Sequence, residues 1–142
     1  MTASPVRTRP RRPWPAWALA GLETFVGVNA VFGGWKLIDD GFGLPTDWLA
    51  GLPVDTWVWP GIALLLGVAA PQFGAAGVAV FGRRPESGYW SGLAVGGALV
   101  LWIVVQLAVL QRYFFLQPVI AGCGLVEIGL AWWWRRTARR AN

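Results

Sequence analysis

The chain has 142 residues, of which 56% are hydrophobic and only 13% charged, with a mean hydropathy of +0.50 and a net charge of +5. A soluble domain of this length carries about twice that share of charge, so the composition predicts a single membrane domain with lipid as its solvent. There is no His and one Cys, which excludes zinc and haem sites built on His or paired Cys and any thiol oxidoreductase that needs a CxxC pair; no cofactor is expected.

The amino tail, residues 1–13, carries Arg7, Arg9, Arg11 and Arg12. An apolar run follows from Trp14 to Leu37. It is longer than the apolar part of a signal peptide, contains Glu23 and Asn29, and lacks a clear small-residue cleavage site, so it is expected to stay as a first helix. Within it Ala20, Glu23, Gly27, Ala30 and Gly34 recur at spacings of three and four. Small residues at such spacing mark helix contacts in lipid, and the stripe turns Glu23 inward.

Residues 38–56 form the one substantial connector. It repeats a pattern, Gly43-Leu44-Pro45-Thr46-Asp47-Trp48 and then Gly51-Leu52-Pro53-Val54-Asp55-Thr56-Trp57, in which Gly and Pro set turns and Thr46 or Asp47 can cap a helical turn. Trp48, Leu49 and Leu52 are expected to face the membrane surface, making a short interfacial outer loop.

A second run spans Trp57 to Phe81, with Pro71 inside it and Gln72 beside the proline. Gly82 to Gly88 reads as a tight turn holding Arg83 and Arg84. The third run spans Tyr89 to Leu110, where Gly92, Gly96, Leu99, Ile103 and Gln106 form one seam. After a shorter turn at Arg112 the fourth run goes from Phe114 to Trp134. Here Ile120, Gly124, Glu127 and Ala131 form a stripe, Pro118 is expected to interrupt the helix, and Cys123 serves as a small packing residue. The tail 135–142 carries Arg135, Arg136, Arg139 and Arg140.

Each run is long enough for the roughly 20 helical residues that cross a hydrocarbon core of about 30 Å, and a helix satisfies its backbone polar groups internally there. The runs do not alternate as β-barrel strands do. The fold class is therefore all-α: a polytopic membrane protein whose short connectors favour an antiparallel, up-down-up-down four-helix bundle.

Charge gives the orientation. The ten Arg of the tails and of the connector at Arg83–Arg84, less Glu86, put +9 on one side. Lys36 and Arg112, less Asp39, Asp40, Asp47 and Asp55, leave −2 on the other, and the two intramembrane Glu complete the +5. Arginines concentrate on the cytoplasmic face, so both termini are placed in the cytoplasm and the chain in a bacterial cytoplasmic membrane. Arg11, Arg12, Arg83, Arg84, Arg135 and Arg136 are positioned to contact anionic lipid headgroups. The same positions account for the basic balance without nucleic acid as a partner. Trp14, Trp17, Trp57, Trp59, Tyr89, Trp90 and the run Trp132, Trp133, Trp134 fall near helix ends and read as interfacial anchors; Trp102 lies mid-helix.

Depth sorts the remaining polar groups. Glu23 is roughly 13 Å along its helix from Trp14, Glu127 about 12 Å from Arg135 and Gln72 about 16 Å from Arg83. These three form one buried layer, and Asn29 and Gln106 a second, nearer the outside. No cation lies within reach of either Glu, and two carboxylates in hydrocarbon cannot both stay ionised cheaply. At least one is expected to be protonated at neutral pH, with a shared proton or a bond to Gln72 tying the helices together.

The order of elements also resembles a known pattern. Gly33-Gly34-Trp35-Lys36-Leu37, the Gly-Leu-Pro and Trp48-Leu49 of the loop, Trp59-Pro60-Gly61, Trp102-Ile103-Val104-Val105-Gln106 and Leu116-Gln117-Pro118 are similar to small uncharacterised bacterial, actinobacterial-type four-helix integral membrane proteins. The resemblance implies the fold but no activity. Two functions follow as expectations: a non-catalytic accessory or scaffold bundle bound to a larger membrane-protein partner, or a small homo-oligomeric transporter handling protons or cations through Glu23 and Glu127. A carboxylate-based lipid reaction is the residual enzymatic reading.

Overall fold

A computed structural model describes residues 11–140; Arg7 and Arg9 of the basic tail lie outside them. The described chain is all helix and loop, without a strand. Its four long helices are α1 (Trp14–Asp40), α2 (Val58–Phe81), α3 (Pro85–Leu110) and α4 (Leu116–Arg140). All four are long and apolar enough to cross a membrane. Each packs on the next in sequence and α4 closes back on α1, so the four enclose a common interior.

Helix ends depart from the expected ones where local chemistry allows extension. The segment read as a turn after Arg84 is already helix from Pro85, which sits at the first helical position, where a missing N–H costs nothing and the fixed φ helps. Gly82 is the stop for α2, its N–H bonding the Val78 carbonyl. α4 starts at Leu116 and continues through the arginines to Arg140, so most of the tail expected at 135–142 is helix. Pro118 lies in the first turn of α4 and interrupts nothing, because the N–H groups there have no intrahelical partner to lose.

Pro71 does perturb its helix. It removes the donor for the Gly67 carbonyl, and immediately before it Leu65–Ala69 widen into a π-helical turn closed by the Ala70 N–H on the Leu65 carbonyl. The segment Val58–Leu64 packs chiefly on α1, whereas Ala70–Phe81 packs on both α1 and α3.

The loop between α1 and α2 folds around Trp57. Its ring is buried, its indole N–H donates to the Leu44 carbonyl at 3.2 Å, and a Cβ added at Gly41, which has φ +65°, would lie 2.8 Å from the ring. Two expectations fail here. Trp57 is a clasp inside the loop, not an interfacial anchor, and Leu49 is buried at 3% exposure instead of facing outward. Neither Thr46 nor Asp47 caps the 3-10 helix Thr46–Leu49, which follows Pro45 without a side-chain cap; the capping side chain of this loop is Asp40, which accepts from the Phe42 N–H at 2.9 Å at the start of the preceding 3-10 turn Gly41–Gly43. At this acidic end Lys36 pairs with Asp40 and lies 4.0 Å from Asp39.

The basic end is knitted from several helices. Arg12 donates to the Gly82 carbonyl and lies over the Trp134 ring, and Trp14 meets Trp133 edge-on at 5.4 Å. Trp134, expected among the anchors, is 1% exposed. It is packed into a cluster with Leu19, Ala79, Tyr89 and Ala131, because Gly88 leaves the space its ring occupies. Tyr89 is likewise buried, whereas Trp14, Trp17, Trp59, Trp90, Trp132 and Trp133 remain exposed. A second apolar cluster of Val26, Ala30, Val68, Ala69 and Leu99 fills the other half of the interior, with Trp102 and Cys123 packed against it.

Candidate functional site

Between the two apolar clusters lies a polar layer, and each long helix contributes to it through its small-residue seam. On α1 the seam Ala20, Glu23, Gly27, Ala30, Gly34 is buried throughout, as is Gly124, Glu127, Ala131 on α4. Glu23 and Glu127 are both fully enclosed, at 0% exposure, and Gln72 of α2 is 1% exposed. α3 supplies no side chain of its own, only close approach. A Cβ added at Gly92 would come within 3.3 Å of Glu23 Oε1, and one at Gly96 within 3.0 Å of Glu127 Cβ.

One hydrogen bond holds the layer: Gln72 Nε2 donates to Glu127 Oε2 at 3.1 Å, across the interior from α2 to α4. Four oxygens have no partner, namely both of Glu23, Glu127 Oε1 and Gln72 Oε1. Acceptors thus outnumber donors heavily, since a carboxamide offers two N–H groups and a carboxylate none. Protons or a cation are the missing complement in chemical terms. Beside Gln72 a cavity of about 10 Å³ is lined by Gly67, Pro71 and Gln72 of α2 and by Val95, Ala98 and Leu99 of α3, room for about one water.

The second polar layer does not form. Asn29 is exposed and donates to the Phe25 carbonyl of its own helix at 2.8 Å, a back-bond that satisfies it without any partner helix. Gln106 is half-buried at the end of its seam and joins no cluster. A buried polar residue not singled out from sequence is Gln117, 6% exposed. It accepts from the Phe114 N–H at 2.9 Å and donates to the Arg112 carbonyl at 3.3 Å, so it organises the turn into α4. Its position directly before a helix-opening proline was the available signal.

The arginines fall into two groups. Arg11, Arg83, Arg84 and Arg136 are exposed, while Arg135 is half-buried with its guanidinium 4.6 Å from the Trp90 ring centroid and 4.9 Å from that of Trp132. Arg12 is committed to Gly82 and Trp134. Among the described residues no group of three or more His, Cys, Asp or Glu is placed to hold a metal ion. Compared with known proteins, the chain matches no family model, no curated protein and no solved structure.

Proposed function

We propose that the protein is an integral component of a bacterial cytoplasmic membrane, with four antiparallel spans and both termini cytoplasmic, acting as a non-catalytic accessory or scaffold for a larger membrane protein. The observation that carries this reading is the sealed interior: the polar layer is fully enclosed and the cavity beside it takes about one water. The polar layer itself offers no cleft for a substrate; a larger, open hollow of about 260 Å³ lies apart from it at the acidic end, lined by Leu37, Gly41, Asp55 and Trp57 among others, and the working surface is the outside. That outside is apolar on every helix, with Phe25, Phe32, Leu66, Leu101 and Leu125 all at 60% exposure or more, the surface that lipid or a membrane partner covers. The order of contacts supports antiparallel neighbours. Gly34 meets Gly61 while Gly27 meets Phe73, and Gly92 meets Ala131 while Gly96 meets Gly124.

Purification in mild detergent followed by mass measurement tests the accessory role; a stoichiometric larger membrane protein is the expected companion. A homo-oligomer with pH-dependent flux in proteoliposomes would instead establish the second reading, a proton- or cation-handling component, which the unpartnered oxygens of Glu23 and Glu127 favour. Orientation is tested in a Cys123→Ser background. A single cysteine at Arg84→Cys is expected to react with a membrane-impermeant thiol reagent only from the cytoplasmic side, and one at Asp47→Cys only from outside. The reverse pattern sinks the assignment.

A further inference from the structure

The exterior of the bundle is almost free of polar side chains between the helix ends. Among the described residues, the exposed positions there on α2, α3 and α4 carry only aliphatic or aromatic side chains, Pro or Gly, whereas α1 presents Thr24 and Asn29. Thr24 is spent on its own helix, its hydroxyl donating to the Ala20 carbonyl at 2.7 Å. Asn29 is spent only in part. One N–H returns to the Phe25 carbonyl at 2.8 Å, so that inside its own bundle it needs no neighbour, and this is its one side-chain hydrogen bond. A carboxamide has a second N–H and an oxygen with two lone pairs, and both are left pointing away from the bundle.

On the membrane reading, which this inference needs, that remainder lies in hydrocarbon. Asn29 is roughly 22 Å along α1 from Trp14 and roughly 16 Å from Asp40, too deep for so short a side chain to reach a headgroup. Lipid chains supply neither a donor nor an acceptor, whereas Asn joins helices across a membrane by hydrogen bonding from one to the next.

We propose that this face of α1 is a homodimer interface, in which the free N–H of each Asn29 donates to Oδ1 of the partner's Asn29. Symmetry selects the occupant. Two copies inserted with one orientation are related by a two-fold axis along the membrane normal, so each residue keeps its depth in both copies and a residue near the axis meets itself. A carboxamide is complementary to itself, with a donor and an acceptor on each side, as a carboxylate or an ammonium is not. Phe25 and Phe32, one turn to either side of Asn29, are each 60% exposed and surround the polar pair with apolar area. Two turns toward the basic end, a Cβ added at Gly21 would meet nothing within 4 Å, so a second helix has room to come close to the backbone there. Asn29 belongs to neither apolar cluster nor to the carboxyl layer. The dimer therefore joins two intact bundles, and substitution of Asn29 leaves each of them folded.

Energy transfer between donor- and acceptor-labelled copies, each labelled at Asp47→Cys in a Cys123→Ser background and diluted with lipid in phosphatidylcholine vesicles, tests the proposal. Transfer is expected to fall on dilution as a monomer–dimer equilibrium. Asn29→Leu raises the dissociation constant about 3- to 20-fold, the span of a hydrogen bond between helices in a membrane, and Asn29→Gln, which keeps the carboxamide, recovers part of the loss. Oxidative cross-linking in native membranes places the contact: Phe32→Cys in the same background joins to its own copy, and Leu125→Cys on the outside of α4 does not. No transfer at any dilution overturns the proposal, as does a dissociation constant that Asn29→Leu leaves unchanged. Cross-linking of Phe32→Cys only to a different protein overturns it in favour of a heteromeric partner. Thiol labelling at Arg84→Cys and Asp47→Cys judges the spans separately. The expected labelling without transfer removes the dimer alone; reversed labelling with transfer intact removes the orientation alone, since the two-fold axis needs one shared orientation and not a particular one.

Discussion

Gly96→Ala lowers the stability of the bundle by about 1–3 kcal/mol, the usual cost of forcing a methyl into a packed interior, while Gly97→Ala next to it is close to neutral. The contrast comes from the local geometry. A Cβ at Gly96 would stand 2.8 Å from the Gly124 carbonyl oxygen and 3.0 Å from Glu127 Cβ, whereas one at Gly97 meets nothing within 4 Å. The contact is reciprocal, since a Cβ at Gly124 would come within 2.9 Å of the Gly96 carbonyl oxygen. Backbone cannot move aside as a flexible side chain can, so α3 and α4 must separate to admit the methyl. Equilibrium unfolding in mixed micelles of mild and denaturing detergent measures both variants. Equal midpoints for Gly96→Ala and Gly97→Ala would remove this contact as a determinant of the fold. Gly96→Leu is expected to exceed the alanine effect and to disrupt the polar layer, because Glu127 lies on the same contact.

The second large effect is at Trp134. Its replacement by Ala is expected to cost about 3–5 kcal/mol, the range for emptying a buried aromatic site. Trp133→Ala, at a position 53% exposed, is expected to change stability by no more than about 0.5 kcal/mol. Trp134 touches the seam at Ala79 and Gly88, meets Tyr89 edge-on at 6.0 Å between ring centroids, and lies under the Arg12 guanidinium. Losing it removes the plug at the basic end. The same unfolding assay compares the two variants. A Trp134→Ala variant as stable as Trp133→Ala would return Trp134 to the role of an interfacial anchor.

These two cases mark where the sequence was readable. The seams were legible because close packing of apolar helices selects small residues at spacings of three and four, and that periodicity found Glu23, Glu127, Gly92, Gly96 and Gly124 on the inward faces. It also contained the correction for Asn29. That residue falls off the stripe through Gly27 and Ala30, and its depth alone was a poor guide to burial. The tryptophans were not legible in this way. Trp57 and Trp134 have the same flanks as their exposed neighbours, and what buries them is a glycine elsewhere in the chain, Gly41 for one and Gly88 for the other. Composition at a helix end cannot report a space left by a distant residue. The helix start at Pro85 was legible in principle, because proline favours the first helical position, yet the glycines and arginines around it read more strongly as a turn. The bond from Gln72 to Glu127 follows from similar depth, but which oxygens remain unpartnered depends on side-chain geometry that no spacing encodes.

The widened turn at Leu65–Ala69 divides the bundle into unequal halves. On its basic-end side, α2 is held by α1, by α3 and by the Gln72 bridge to α4; on its acidic-end side, Val58–Leu64 leans chiefly on α1. The acidic end therefore has little packing between α2 and α3, while the Gln72 bridge ties the other half of α2 to α4. Val58–Leu64 forms one packing unit with α1 and with the loop clasped on Trp57. Of the seams between neighbouring long helices, the acidic-end one between α2 and α3 has the least packing to oppose separation.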